Sequence, residues 1–332
     1  MPAARRRLDP IDHLLALDPG GRGIAAFFQP GGALAAARAL ARARSVLIVT
    51  GIIVAEGMPE TDGPPGAAVL GRALRRLGAG VRYTTDAATL PTLAAALKAL
   101  GEPVEAFAYP DTADAAAEVL ARERPTHLVS IERPGRGRDG DYLNARGVSV
   151  RPWNRPLDDM FLLARRDRSR TRRAGASEPR ASRHRPPSAR AGQAPLATTG
   201  RAGRAALATV AIGDGGNEIG MGNVRGALAR EGALMARIAS VVRVDHLVVA
   251  GVSNWGAYGI VAQLGRLTGG SLLHSPDDER RLIDACVAAG AVDGITRRAE
   301  RTVDGLDADT HASIVALLGL SWGHLSRPGE RG

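Results

Sequence analysis

The feature that most constrains this 332-residue chain is an alternation. Short, β-branched apolar runs recur, and most are followed by a stretch of helix-forming residues. Residues 45–50 (Ser-Val-Leu-Ile-Val-Thr) are the first such run, and 81–85, 104–108 and 126–131 are the next three. Residues 207–212 and 245–250 repeat the pattern later in the chain. Between them, 66–77, 90–100 and 112–123 read as helices, the first opened by Pro64 and Pro65, which a first helical turn tolerates. An Ala/Arg helix over 33–44 precedes the first run. A helix toward Arg230, one over 276–289 and one from Thr310 follow the later runs. Runs apolar on both faces belong to buried strands, and strands joined by helices demand right-handed crossovers into a parallel sheet. The expected fold is α/β, a Rossmann-like doubly wound and mostly parallel sheet with helices on both faces.

Hydrophobic content of 45% supports a real core, and with aromatics at 3% that core must be built from Ala, Leu and Val. Cys286 is the one cysteine, which rules out an internal disulfide and any multi-cysteine zinc site. It sits in an apolar helical pattern and reads as a small buried hydrophobe. No apolar run reaches membrane-spanning length and no signal-type segment follows the start, so a cytoplasmic protein is expected.

The net charge of +10 belongs to one segment. Residues 165–205 carry twelve arginines against Asp167 and Glu178, so the other 291 residues sum to about zero. The segment is Arg/Ala/Ser/Pro-rich, lacks aromatic residues and shows no helical or strand periodicity, which predicts disorder. It divides a single α/β domain into a first part, 1–164, and a second, 206–332. Three readings of it stay open: a flexible insertion, an arm for phosphates or an acidic partner, and a frame-shifted reading of a GC-rich gene. Without interleaved aromatics, nucleic-acid binding is disfavoured.

In open parallel sheets, ligands bind beyond the carboxyl ends of the strands. The polar candidates gather there: Glu60 and Asp62 after the first run, Asp86 after the second, Glu132 and Arg133 after the fourth. The fifth run opens into Gly213-Asp-Gly-Gly-Asn-Glu-Ile-Gly-Met-Gly, which carries Asp214, Asn217 and Glu218. The sixth opens into Gly251-Val-Ser-Asn-Trp-Gly, with Ser253 and Asn254. Glycine lets the backbone approach a ligand closely, and carboxylates beside it suit a hard cation or a small polar substrate. The plain alternative is a tight turn with solvated acids, with Ser253 and Asn254 as helix caps. Known templates fail. The glycines lack dinucleotide spacing, Lys98 is the sole lysine and stands in a helix, and no G-x-S-x-G elbow occurs. Of the seven histidines, His127 and His246 fall at strand beginnings; His311, seven residues after Asp304, is the one placed near a candidate loop.

Longer motifs resemble the D-glutamate cyclase family. They are the 51–66 loop with Pro-Glu-Thr-Asp-Gly-Pro-Pro-Gly, Ile131-Glu-Arg-Pro-Gly-Arg, Asn144-Ala-Arg-Gly, Pro156-Leu-Asp-Asp-Met-Phe, the two glycine-rich turns, Val303-Asp-Gly-Leu and Thr310-His-Ala. The resemblance is to the C-terminal domain of the animal mitochondrial protein and its stand-alone bacterial relatives, and it spans nearly the whole chain outside 165–205. That family passes from the 157–159 helix to the next strand by a short link, where this chain has about forty residues more. The resemblance implies a hydro-lyase that cyclises D-glutamate to 5-oxo-D-proline. Asp214 and Glu218 would then handle the amine or hold a divalent cation (Mg or Mn), with Asn217 beside them. Arg133 and Arg146 would bind carboxylates. Glu60, Asp62, Glu132, Asn144, Ser253, Asn254 and His311 would complete the substrate site. A binding module for an acidic metabolite or nucleotide, and a metal-dependent hydrolase or lyase, remain as alternatives, and a homo-oligomer is left open.

Overall fold

The computed structural model describes residues 9–176 and 207–323. In chain order the first part holds α1 (Pro10–Leu15), α2 (Gly32–Leu40), β1 (Ser45–Thr50) and a small hairpin of β2 (Ile53–Ala55) and β3 (Met58–Pro59). It continues with α3 (Pro64–Arg76), β4 (Gly80–Thr85), α4 (Leu90–Ala99), β5 (Ala106–Ala108), α5 (Ala115–Glu123), β6 (His127–Ile131) and α6 (Asp159–Ala176). The second part holds β7 (Ala208–Gly213), α7 (Arg225–Leu228), α8 (Ala233–Ile238), β8 (His246–Val249), α9 (Ser253–Thr268) and α10 (Pro276–Ala288). A hairpin of β9 (Thr302–Val303) and β10 (Leu306–Asp307) then leads into α11 (Ala308–Gly323).

The six long runs form one sheet in the order β5-β4-β1-β6-β7-β8, with every neighbouring pair parallel. The order reverses between β1 and β6, where Val46 faces His127 and Thr50 faces Ile131. This is a doubly wound α/β sheet, and such a reversal opens a crevice at the strands' carboxyl ends. Strand β1 shows why both faces must be covered. Val46 and Ile48 enter one core with α2, α3, α4, α9, α10 and α11, while Leu47 and Val49 enter another with α5 and α6. Successive strand side chains alternate between faces, so an all-apolar strand needs helices on each.

Two expectations are corrected. The helix expected toward Arg230 is only the four residues of α7, after a 3-10 turn at Met221–Asn223. Gly220 there takes φ +98° and Gly222 has no room for a side chain against the Val241 and Val242 backbone, so the segment is held as a turn. Helix α6 runs through Ala176, past the boundary drawn at residue 164. Arginine and alanine are strong helix formers and do not need an apolar stripe to stay helical. The rest of the Arg-rich segment, 177–206, lies outside the described residues. Among those described, no helix is long and apolar enough to cross a membrane.

The amino-terminal loop is seated against the last sheet crossover. Gly251 N donates to Leu15 O at 2.9 Å, and a Cβ on Gly251 would lie 1.8 Å from Leu17 O. A backbone oxygen cannot swing away as a side chain can, so Gly251→Ala must displace one of the two segments. Such overpacking costs about 1–3 kcal/mol. We expect thermal melting of Gly251→Ala to show Tm lowered by about 2–12 °C; an unchanged Tm would contradict this packing.

Candidate active site

Three loops at the carboxyl edge of the sheet, those after β1, β6 and β7, supply most of the acids. The loop after β1 folds back so that Glu60 N donates to Ile52 O (3.0 Å) and Thr61 N to Val292 O (2.9 Å), which brings Glu60 and Asp62 under the strand ends. Asp62 lies at the amino terminus of α9. Its Oδ1 accepts from Asn254 N (2.9 Å) and Gly63 N (3.0 Å), and its Oδ2 from Ser253 N (2.9 Å). Ser253 N also reaches Asp214 Oδ2 at 3.0 Å. A helix amino terminus offers free N–H groups and a partial positive charge, so two carboxylates can share this end. After β6, Glu132 takes φ +42°, a left-handed conformation uncommon for a residue other than glycine. Its Oε2 accepts from Ser253 Oγ at 2.5 Å.

Two residues not picked out from the sequence complete the cluster. Arg22 stands in the Asp18-Pro-Gly-Gly-Arg-Gly loop, ahead of the first sheet strand, where an argument from strand ends does not reach. Asp18 shapes that loop by accepting from the N–H groups of Arg22 (2.9 Å) and Gly23 (2.7 Å). The guanidinium then pairs with Asp214 through Nη1 and with Asp304 Oδ1 at 2.8 Å through Nη2. Asp304 sits with Gly305 in the two-residue turn between β9 and β10, at φ +55° and +78°. Asp-Gly is the strongest short signal for such a turn, and it was legible in Val303-Asp-Gly-Leu.

These groups border a cavity of about 280 Å³. Arg22, Glu60, Glu132, Asp214, Asn217, Glu218 and Asp304 face it, with Ile52, Val54, Val150, Met235 and Ile295 as apolar wall. Burial is the largest influence on Glu60, Asp62, Glu132, Asp214 and Asp304. It pushes Asp214 up to about 6 and Asp304 up to about 7, against the pull of Arg22. Glu60, Asp62 and Glu132 are driven well above the ordinary carboxylate range by burial, and next by the charge of Asp304 for Glu60 and Asp62 and of Asp214 for Glu132. Burial alone would lower Arg22, but Asp214 and Asp304 outweigh it and hold the guanidinium charged. One oxygen of Glu60 and one of Asp304 are buried without a hydrogen-bond partner. The site thus holds more carboxylates than cations.

Several expected roles move. Arg133 is fully buried and is not among the residues lining the cavity: Nη1 donates to Gly51 O (2.9 Å) and pairs with Asp86, and Nη2 donates to Arg155 O (2.7 Å). It locks three loops together. Glu218 borders the cavity, but both its oxygens are taken, Oε1 by the N–H groups of Asp214 (3.3 Å) and Gly215 (2.6 Å) and Oε2 by that of Gly216 (2.8 Å). It shapes the glycine-rich turn. Ser253 and Asn254 are fully buried and spent on Glu132, Gly63 and Gly66. His311 is buried off the cavity, between Trp255 and Val303. Asn144 and Arg146 do line the cavity, Asn144 closing its own turn by accepting from Arg146 N (2.9 Å) and Val148 N (3.0 Å). Exposed Arg146 is joined on the rim by exposed Arg297, and neither guanidinium pairs with an acid among the described residues. For a metal, two sets bring oxygens within 4.8 Å: Asp62, Asp214 and Asp304, or Glu132, Asp214 and Glu218. Asp214 is common to both.

Fold and cleft together define an α/β protein with an acid-lined pocket at its strand-order reversal. Residues 11–175 and 192–319 match the family described as D-glutamate cyclase-like, C-terminal. Over 278 residues the chain is 31% identical to the human mitochondrial D-glutamate cyclase, an alignment covering 79% of this chain and 39% of that protein. The chain belongs to the D-glutamate cyclase-like C-terminal family. It spans about two fifths of the human relative's length. The match is interrupted over 176–191, inside the Arg-rich segment.

The raised acids give a signed stability prediction. A carboxyl whose folded value is raised stabilises the fold fully below its unfolded value and loses that contribution as pH climbs through the folded one. For Asp304 the window runs from its ordinary value of 3.8 to about 7. In chelator-treated protein, Asp304→Asn should therefore raise Tm at pH 8 by about 2–4 °C, for roughly 1 kcal/mol, and leave it unchanged at pH 4. A loss of stability at pH 8 would show that Asp304 is held by its charge instead.

Proposed function

We propose that this domain cyclises D-glutamate to 5-oxo-D-proline with loss of water. The observation that carries the reading is the buried set Glu60, Glu132, Asp214 and Asp304 around one guanidinium, with Asp214 and Asp304 pushed up to about 6 and about 7. Cyclisation needs both proton states of an acid close to neutrality. An ionised carboxylate, Asp214 in this reading, takes a proton from the substrate ammonium, and the neutral amine attacks the side-chain carboxyl carbon. A protonated neighbour, Asp304, gives its proton to the departing oxygen. Two protons leave nitrogen and two arrive on oxygen as water, so the cluster ends as it began. Holding amine and carboxyl in one bent conformer supplies much of the rate.

Substrate charge suits the same pocket. The ammonium belongs among the acids, and the carboxylates belong with Arg146 and Arg297 at the rim, whose planar forks match that group. Asn217, whose amide is unbonded among the described residues, orients the chain from the side. A divalent cation, Mg or Mn, is an alternative to that acid–base pair, since the same aspartates would then be ionised ligands. Asp62, Asp214 and Asp304 would hold it, and the second oxygen of Asp304, buried without a hydrogen-bond partner, is the atom free to do so. The cation would supply Lewis-acid polarisation of the carboxyl under attack.

Chromatographic measurement of 5-oxoproline from D- and L-glutamate tests the reading. Turnover of the D form is expected, with Asp214→Asn lowering kcat by about 100-fold or more. Arg146→Gln and Arg297→Gln should each raise KM about tenfold with kcat little changed. Loss on chelation and recovery with Mg or Mn supports the cation, and unaltered turnover favours the acid–base pair beside Arg22. Near-normal turnover in Asp214→Asn would overturn the site.

A further inference from the structure

The Asp304 hairpin is too small to hold itself. Its strands are two residues each, its turn puts an aspartate at φ +55°, and isolated hairpins of any length are marginal in water. Its position is set from outside. Thr61 Oγ1 donates to Thr302 O at 2.8 Å, Gly305 N donates to Asp293 Oδ2 at 2.6 Å, and His311 Nε2 donates to Val303 O at 3.1 Å. The last bond falls on the residue immediately before Asp304.

The other side of the imidazole is also committed. Trp255 Nε1 lies 2.8 Å from His311 Nδ1, and an indole N–H can only donate, so Nδ1 accepts and the ring proton sits on Nε2. Both rings are buried, 5.6 Å apart between centroids. Trp255 belongs to the first turn of α9, whose N–H groups at Ser253 and Asn254 hold Asp62 and Asp214. The path Trp255–His311–Val303 therefore runs from the helix end that fixes two acids to the hairpin that carries the third. Those three carboxylates have oxygens within 4.8 Å of one another.

We propose that His311 is a positioning residue: without touching the cleft, its neutral ring sets where Asp304 stands relative to Asp62 and Asp214. The kinetic part of this inference rests on the cyclase reading; the structural part does not. A donor at the Nε2 position is what the hairpin needs, and an acceptor at Nδ1 is what orients the ring. His311→Gln retains a donor of about the right reach, whereas His311→Asn places an acceptor near the Nδ1 position and its amide is too short to donate to Val303 O.

The test compares these two variants and Trp255→Phe, each confirmed folded by circular dichroism. Amide hydrogen exchange at Asp304 and Gly305 is read without substrate, and kcat and KM are read for D-glutamate. The expected result is exchange accelerated about tenfold in His311→Asn and Trp255→Phe but not in His311→Gln. It should be accompanied by kcat lowered about tenfold or more with KM within about twofold, and by substantial recovery in His311→Gln. Equal exchange in His311→Asn and wild type would overturn the proposal, and so would His311→Gln and His311→Asn behaving alike. If either histidine variant fails to fold, Trp255→Phe decides by the same exchange readout. If wild type forms no 5-oxoproline while the exchange pattern holds, the cyclase reading fails and the positioning role stands.

Discussion

One guanidinium set among buried carboxylates is the constraint on which the rest of the site depends. Arg22 bridges Asp214 and Asp304, while Glu60, Asp62 and Glu132 crowd the same space. Removing carboxylates from water is costly, and one cation cannot balance so many of them. The cluster must keep some acids protonated, accept a cation or receive a positively charged ligand. Each of those outcomes is chemistry that the proposed cyclisation would use. The backbone N–H groups of Gly63, Ser253 and Asn254 all donate to Asp62 and offset part of that desolvation cost.

The sheet supplies the place. Reversal of strand order between β1 and β6 sends the flanking loops apart and leaves the opening that Glu60, Glu132 and Asp214 line. Helix α9 then acts as the hub. Its amino terminus faces Asp62 and Asp214, Ser253 restrains Glu132, and Trp255 reaches through His311 to the Asp304 hairpin. Arg133, expected as a carboxylate ligand, instead pins the loops after β1 and β6 to the segment at Arg155.

Strand-and-helix alternation made the fold legible, because a parallel sheet buried on both faces writes itself as short, fully apolar runs. The loop acids at Glu60, Glu132 and Asp214 were legible for a related reason: they follow those runs directly. Arg22 and Asp304 were not, since each arrives from outside the regular βαβ units, one from a loop before β1 and one from a hairpin after α10. The difference between Arg146 and Arg133 could not be read either. Both are arginines in polar loops, and only tertiary packing buries one and leaves the other on the rim. Glu218 illustrates the same limit, because its spacing from Asp214 suits a turn-closing acid and a ligand equally well.

The most direct test is the protonation of the two cleft aspartates themselves. Protein carrying carbon-13 in its aspartate side chains, freed of metal, can be titrated by NMR, with Asp214→Asn and Asp304→Asn assigning the signals. The account predicts two carboxyl resonances with midpoints near 6 and 7, belonging to a coupled pair, and a change in one midpoint when the other residue is replaced. Both aspartates titrating independently below about pH 4.5, in the ordinary carboxylate range, would contradict it.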